Sequence, residues 1–585
     1  MLGAITTLSP PLRFMQHYDE SYNYTKWFND AGDDVDLAVL IYHTQEDWLR
    51  EARFIKENLT EEVIDNAFKK FPKEIDQKKV ERTRKALLGR LAKVEENAVS
   101  LYEYLRSCVL ITGTDKDDYF VITRKPKGIT NVKIYRIKNG ENKDKFWDVD
   151  YDKSVTNELW IYGLDDDDVF EVVGDGERYI KIKLIGGQNN DIYRIKNKRN
   201  LRVFDQKSKP NTFESPVAKT LSDNYDLNTY YFKKNRRDLH NILPIIAINP
   251  DDGLKIGAVF NYTKNSLRRN PFTAKHSLSA IYITETTGVE LNYDGEFANL
   301  FNNVNLGINA GYSSSSYTNN FFGFGNETIN PEDELGLSLD FNRVRLQQFT
   351  FSPSLIFRGY QGSVVKLGVS YENIEAERTE GRFIEMANDV NPQVFEGQDF
   401  FGIESSYEYN NFDNEDLPKS GIGFKFTAGY KANFDEDKEF AYVIPEFRLT
   451  TKIDRRGFLV YATKFKAHFN LSDEFEFHQA ATIGDGDGLR GYRQERFSGK
   501  RAFYQNSDLR LSLGRIRNSI IPISWGAYGG FDYGRVWIDD DNSNEWHTTP
   551  GVGLFFNIAG FTTANVGYFS TDEGGRLNIL LSLAF

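Results

Sequence analysis

From about residue 241 to the end of the chain, apolar and polar residues alternate in about sixteen segments, each near the length a tilted strand needs to cross a bilayer. They begin near Asn241, Leu254, Ser277, Val289, Val304, Leu346, Val364, Phe401, Ile422, Tyr442, Phe458, Phe503, Ser524, Thr549, Thr562 and Leu577. In the last segment Leu577, Ile579, Leu581, Leu583 and Phe585 share one face, and Asn578, Leu580, Ser582 and Ala584 the other. In the eleventh, Leu459, Tyr461, Phe465, Ala467 and Phe469 oppose Lys464, Lys466 and His468. The connections also alternate: long ones (around 313–342, 380–399 and 473–502) follow odd-numbered segments, and short ones such as Asp454-Arg455-Arg456-Gly457 follow even-numbered segments. A soluble β-sandwich shows similar alternation but does not account for so many strands, one-sided long loops and an apolar-aromatic final strand. The expected fold is mainly β: a sixteen-stranded antiparallel transmembrane β-barrel over 241–585, both of its ends on the periplasmic side.

Composition agrees with this and removes other classes. Against 85 acidic residues stand 72 basic ones, a net charge of −13, which argues against a nucleic-acid partner. Mean hydropathy is −0.53, and no run of eighteen apolar residues occurs, so no transmembrane helix is predicted. A barrel that alternates lipid-facing and lumen-facing residues averages to the same soluble-looking value. The lone Cys108 excludes an internal disulfide and any multi-cysteine metal site, and as a thiol it reads as a small buried hydrophobe. The opening Met1-Leu2-Gly3-Ala4-Ile5 lacks the charged and apolar regions of a secretory signal. The expectation is therefore the later part of a longer precursor, or an artificially shortened form.

Ahead of the barrel the pattern changes twice. Residues 1–108 read as an irregular stretch and then helices: Thr44 caps one with Asp47 three residues on, Thr60 opens a second, which Pro72 ends, and a third, longer one runs from about Lys78 to Arg106. Residues 109–205 read as a small β-rich periplasmic domain, with an echo between Asp168-Val169-Phe170-Glu171-Val172 and Asp191-Ile192-Tyr193-Arg194-Ile195. Asp165, Asp167, Asp168 and Asp191 offer oxygen ligands for calcium; the alternative is a solvated turn in a stacked β-domain, with no cofactor. Residues 206–240, with Pro210 and Pro216, read as a linker.

No catalytic constellation is present. The seven histidines are scattered, with no metal-ligand pair, nucleophile elbow or phosphate-cradling loop, so no enzyme is expected within the chain. Gly488-Leu489-Arg490-Gly491-Tyr492 is a different matter. An arginine between glycines can fold back into a confined space, and in a barrel lumen it needs a carboxylate partner, which Asp508 or Asp532 could supply. Such a contact either fixes the loop structurally or acts as a mechanical latch that sets lumen access. A second candidate is the seam where 241–249 must pair with 577–585: Pro244 cannot donate a ladder hydrogen bond, and lies beside Ile246 opposite Ile579, Leu581 and Phe585. It either weakens the seam or sits harmlessly at its edge.

These residues resemble the outer-membrane protein assembly factor superfamily, also called the bacterial surface antigen family. Gly488 to Tyr492 is similar to the family's arginine-glycine-aromatic motif in the loop between strands eleven and twelve. Asn506-Ser507-Asp508-Leu509-Arg510 and Phe531-Asp532-Tyr533-Gly534 resemble the motifs of the next two strands. Asp416-Leu417-Pro418-Lys419-Ser420-Gly421 resembles a turn before the ninth strand, and Phe322-Gly323-Phe324-Gly325-Asn326 a loop motif. The resemblance implies that Arg490 pairs with Asp508, Asp532 or both in the lumen. It also implies a protein (or lipid) translocation or insertion pore in the outer membrane, in contact with lipid and lipopolysaccharide and with a protein client or periplasmic partner. Residues 1–235 depart from the family's periplasmic repeat modules. They are closer to the connector of Bacteroidota members, some with an upstream phosphoesterase, which leaves a passive anchor for a periplasmic or upstream domain as the alternative.

Overall fold

The computed structural model describes residues 18–22, 25, 32–40, 42–234, 237–249, 251–301, 303–388, 390–516, 522–539, 542–558, 560 and 562–582. Two compact units are present: residues 1–238 with 265–273, and residues 239–264 with 274–585.

The first unit opens with helices. Gln45–Asn58 starts at a reciprocal cap in which the Thr44 hydroxyl accepts from the Asp47 N–H and the Thr44 N–H donates to Asp47 Oδ2 at 2.8 Å. At Glu61–Phe68 the Thr60 hydroxyl caps the helix by accepting from the Val63 N–H. The long helix expected over 78–106 is instead two, Gln77–Ala92 and Val94–Arg106, parted where Lys93 leaves helical geometry at φ −103°, ψ 10°. No glycine or proline marks the break. Arg90 before it and Glu95 and Glu96 after it are the charges that a C-terminus and an N-terminus favour.

The β-part is a two-sheet stack. Cys108–Thr112, Glu158–Leu164, Lys181–Gly187, Leu201–Asp205 and Lys219–Leu221 form one all-parallel sheet. Asp118–Arg124, Val169–Gly174, Ile192–Ile195 and Thr212–Phe213 run parallel in the other, which two antiparallel strands, Ile129–Lys138 and Glu141–Asp152, extend. The chain climbs by alternating between sheets, so each turn repeats the same environments. Phe120, Phe170, Tyr193 and Phe213 stack one per rung, with centroids 4.6, 5.2 and 4.9 Å apart. The segment 206–240, expected as a linker, carries the last two rungs; the strands that form them, Thr212–Phe213 and Lys219–Leu221, are too short to show a period. Residues 265–273 add Leu267, buried with Trp160 and Tyr162.

The second unit is the barrel. Its strands are Leu239–Asn249, Gly253–Lys264, Ala274–Ile283, Val289–Phe301, Val304–Ser313, Arg343–Arg358, Ser363–Ala376, Gln398–Phe412, Gly421–Asn433, Lys438–Lys452, Leu459–Asn470, Arg501–Ile516, Ile523–Trp537, His547–Ile558, Thr562–Thr571 and Gly574–Ser582. Each pairs antiparallel with the next, and the first closes on the last. Phe349, Phe351, Leu355 and Phe357 on the sixth strand, Ile422, Phe424 and Phe426 on the ninth, and Leu577 and Ile579 on the last are exposed large apolar side chains. Such a belt is stable only against hydrocarbon. The alternate residues carry charge and pair inside, as Glu296 does with Arg358 and Glu372 with Lys431. No described helix is long and apolar enough to cross a membrane. At the odd-loop end the long connections share an apolar cluster that includes Phe321, Ile384, Val394, Phe400, Phe440 and Phe477.

Candidate functional site: the inward-folded loop and the seam

The connection between the eleventh and twelfth strands folds back onto the barrel wall. It contains a short hairpin, Ala481–Ile483 with Phe497–Gly499, and buries Ile483, Leu489, Tyr492 and Phe497 against Ala502, Tyr504 and Val536. Gly488 turns the chain at φ +130°, where a side chain would be strained. Gly491 passes so close to the wall that a Cβ would lie 2.6 Å from Thr571 Cγ2 and 3.2 Å from Thr549 Cβ.

Between these glycines Arg490 reaches two strand carboxylates. Its Nε donates to Asp532 Oδ2 at 2.9 Å and its Nη2 to Asp532 Oδ1 at 2.5 Å and Asp508 Oδ1 at 2.9 Å, while its own backbone N–H lies 3.2 Å from Asp532 Oδ2. Asp508 and Asp532 are 3% and 0% exposed. Thr549 Oγ1 donates to Asp532 at 2.9 Å, and the Phe569 ring lies 4.2 Å from the guanidinium carbon. Burial pulls the Arg490 pKa down, but Asp508 and Asp532 outweigh it and raise the pKa above the ordinary arginine value. Beside the latch lies a cavity of about 380 Å³, lined by Arg490, Asp508, Arg510 and Tyr528 and by the seam residues Ile248 and Ile579.

Among the described residues, the seam pairs only Ala247 with Leu580 and Ile248 with Ile579. Pro244 and Ile246 lie beyond that pairing, opposite Ala258 and Ile256 of the second strand. Leu581 is opposite Ala564 of the fifteenth strand, and Phe585 lies outside the described residues.

In the first unit the four acidic candidates separate. Asp165 and Asp167 sit on an exposed turn, where they accept from Asn189 and from the Asn190 N–H. Asp168 and Asp191 are buried in a ladder: the Asp118 N–H donates to Asp168, the Asp168 N–H to Asp191, and the Asp191 N–H to Asn211 Oδ1, at 2.8, 2.9 and 2.8 Å. No group of three or more His, Cys, Asp or Glu arranged to hold a metal occurs among the described residues.

Sequence reasoning missed the rest of the loop's basic run. Arg493 and Arg496, 0% and 2% exposed, follow Arg490 at three-residue intervals. That spacing was the available signal, but charges in a loop look solvated until their partners are known. Arg493 pairs with Asp251, and Arg496 with Glu573.

Fold and lumen place the second unit among outer-membrane β-barrels. Residues 410–558 match the family model "Haemolysin secretion/activation protein ShlB/FhaC/HecB". Among solved structures, BamA from Haemophilus ducreyi lacking POTRA domains 1-3 is similar at 15% identity and TM-score 0.43, over 58% of this chain and 70% of that one. CdiB from Escherichia coli is similar at 10% identity and TM-score 0.40, over 58% and 62%. CdiB from Acinetobacter baumannii is similar at 14% identity and TM-score 0.39, over 60% and 60%. The chain thus spans less than two thirds of either CdiB chain. A search of curated protein sequences finds no match.

Proposed function

We propose that the barrel is a translocation or insertion pore of the outer membrane, whose client is a protein (or lipid) and whose lumen is governed by the loop that Arg490 holds. The first unit is periplasmic, the long odd-numbered loops face outward, and the outer belt meets lipid and lipopolysaccharide. The observation that carries the reading is the position of the latch: Arg490 is seated on two wall carboxylates beside a cavity that reaches the two-pair seam. Calcium has no part in this reading.

The test is ion conductance of the refolded protein in planar bilayers, native against Arg490→Ala. Fluctuating pores whose size or gating changes with the substitution support the pore. A well-inserted protein that is silent in both forms overturns it. One observation favours the second reading, a passive anchor for a periplasmic or upstream domain: the apolar cluster built by the long loops packs the odd-loop end.

A further inference from the structure

The seam has a second means of closure. The turn before the second strand and the turn between the fifteenth and sixteenth strands lie on opposite sides of it, because the first and last strands form the seam. One five-residue stretch of the inward loop grips both. On one side, Arg493 Nε donates to Asp251 Oδ1 at 2.7 Å and the Gln494 N–H to Asp251 Oδ2 at 3.0 Å, so that both oxygens of a buried carboxylate are taken. On the other, Arg496 Nε donates to Glu573 Oε1 at 2.7 Å and the Tyr492 hydroxyl to Asp572 Oδ1 at 2.5 Å.

The grip is rigid at its root. Arg493 also donates to Asn320 Oδ1 and the Leu339 carbonyl, both at 3.1 Å, and Arg496 donates to the Thr328 hydroxyl at 2.7 Å and carbonyl at 2.6 Å. The Arg496 guanidinium lies 4.7 Å from the Phe322 ring and 4.5 Å from the Phe497 ring. Side chains so anchored lose little further entropy in bridging two turns, and charge-assisted bonds in a buried setting are the strong kind.

We propose that Tyr492, Arg493 and Arg496 form a clasp that holds the barrel seam shut at its odd-loop end. Seating the loop and closing the seam are then a single event, since Arg490 and the clasp lie on the same short stretch and Asn578 of the last strand donates to the Arg490 carbonyl at 2.9 Å. The odd-loop end of the seam then opens only after the loop has left. The purpose of the clasp rests on the pore reading; its existence does not.

The experiment uses the full chain in lipid vesicles, with Cys108→Ser and nitroxide labels at Ile256→Cys and Tyr568→Cys, exposed positions on the second and fifteenth strands. The label separation is compared between this parent and Asp251→Asn with Glu573→Gln, folding being checked by heat-dependent gel mobility. The expected result is a longer-distance population in the variant, with the open-to-closed ratio raised roughly tenfold or more. A distance distribution that superimposes on the parent's, in a folded barrel, overturns the clasp. If the double variant does not insert, Glu573→Gln alone is read in the same way. Conductance of the same proteins separates the two proposals. A widened seam in a silent protein leaves the clasp standing and removes the pore; an unchanged seam with altered conductance does the reverse.

Discussion

Arg490 and Asp532 meet through three donors: the guanidinium Nε and Nη2 and the Arg490 backbone N–H all reach the one carboxylate, at 2.9, 2.5 and 3.2 Å. Asp508 receives Nη2 of Arg490 at 2.9 Å, with Arg510 Nε 3.6 Å from its other oxygen. The two acids are therefore unequal. Asp532→Asn is expected to destabilise the seated loop by about 3–5 kcal/mol, the usual cost of breaking a buried pair, and Asp508→Asn by distinctly less. The temperature of the heat-induced gel shift of the folded barrel orders the two.

Gly491→Ala leaves every charged group in place yet is expected to unseat the loop. Its new methyl would sit 2.6 Å from Thr571 Cγ2 and 3.2 Å from Thr549 Cβ, so that both threonine side chains must give way. Overpacking of this kind costs about 1–3 kcal/mol. Protease cleavage within 471–500 is expected to become faster in this variant, with the barrel strands remaining protected.

Across the seam, Ile248→Cys with Ile579→Cys in a Cys108→Ser background is expected to oxidise readily. Directly opposed residues on antiparallel neighbours have Cα atoms about 4.5–5.5 Å apart, within reach of a disulfide. The bond is expected to suppress conductance fluctuations, and reductant to restore them. Non-reducing gels and bilayer recordings read the two effects.

The aspartate ladder makes the first unit sensitive to pH. Burial, and then the neighbouring Asp191 charge, push the Asp168 pKa up to about 10; burial, and then Asp205, raise that of Asp191. A carboxyl whose folded pKa lies above the unfolded one binds its proton more tightly in the native state. Its stabilisation is complete below about pH 4 and is lost as pH rises toward the folded value. Urea unfolding followed by tryptophan fluorescence is expected to show a higher midpoint at pH 5 than at pH 8. Asp168→Asn should flatten that difference without breaking the ladder, because Asn211 already fills the same role two steps along, accepting from the Asp191 N–H while its Nδ2 donates to the Gln206 carbonyl.

With Asp168 and Asp191 turned inward and Asp165 and Asp167 bonded across an exposed turn, EDTA is expected to leave the same unfolding midpoint unchanged. A midpoint lowered by EDTA and restored by calcium would return the metal to this domain.

The barrel was legible because a two-residue period over ten or so residues survives any detail of packing, as the alternating burial over the first ten residues of Arg501–Ile516 demonstrates. Arg490, Asp508 and Asp532 stood out as a buried arginine that needs carboxylates, and the structure brings the three side chains together. The parallel stack of the first unit was visible only as the echo at Asp168 and Asp191, because its outer rungs are two or three residues long and its turns differ in length. The clasp was not legible at all. Asp251, Arg493 and Glu573 lie far apart in the chain, and nothing local distinguishes them from solvated charges; only the fold makes them neighbours.

The grip of Tyr492, Arg493 and Arg496 on two turns from opposite ends of the barrel sequence also bears on how the hoop is completed during assembly. The first and last hairpins are the most distant in the chain, so their meeting carries the largest loop-closure entropy in the unit. A loop that binds each of them separately replaces one long search with two shorter ones. The last edge to zip is then guided from within by a preformed docking point, rather than left to two exposed strands finding one another in the plane of the membrane.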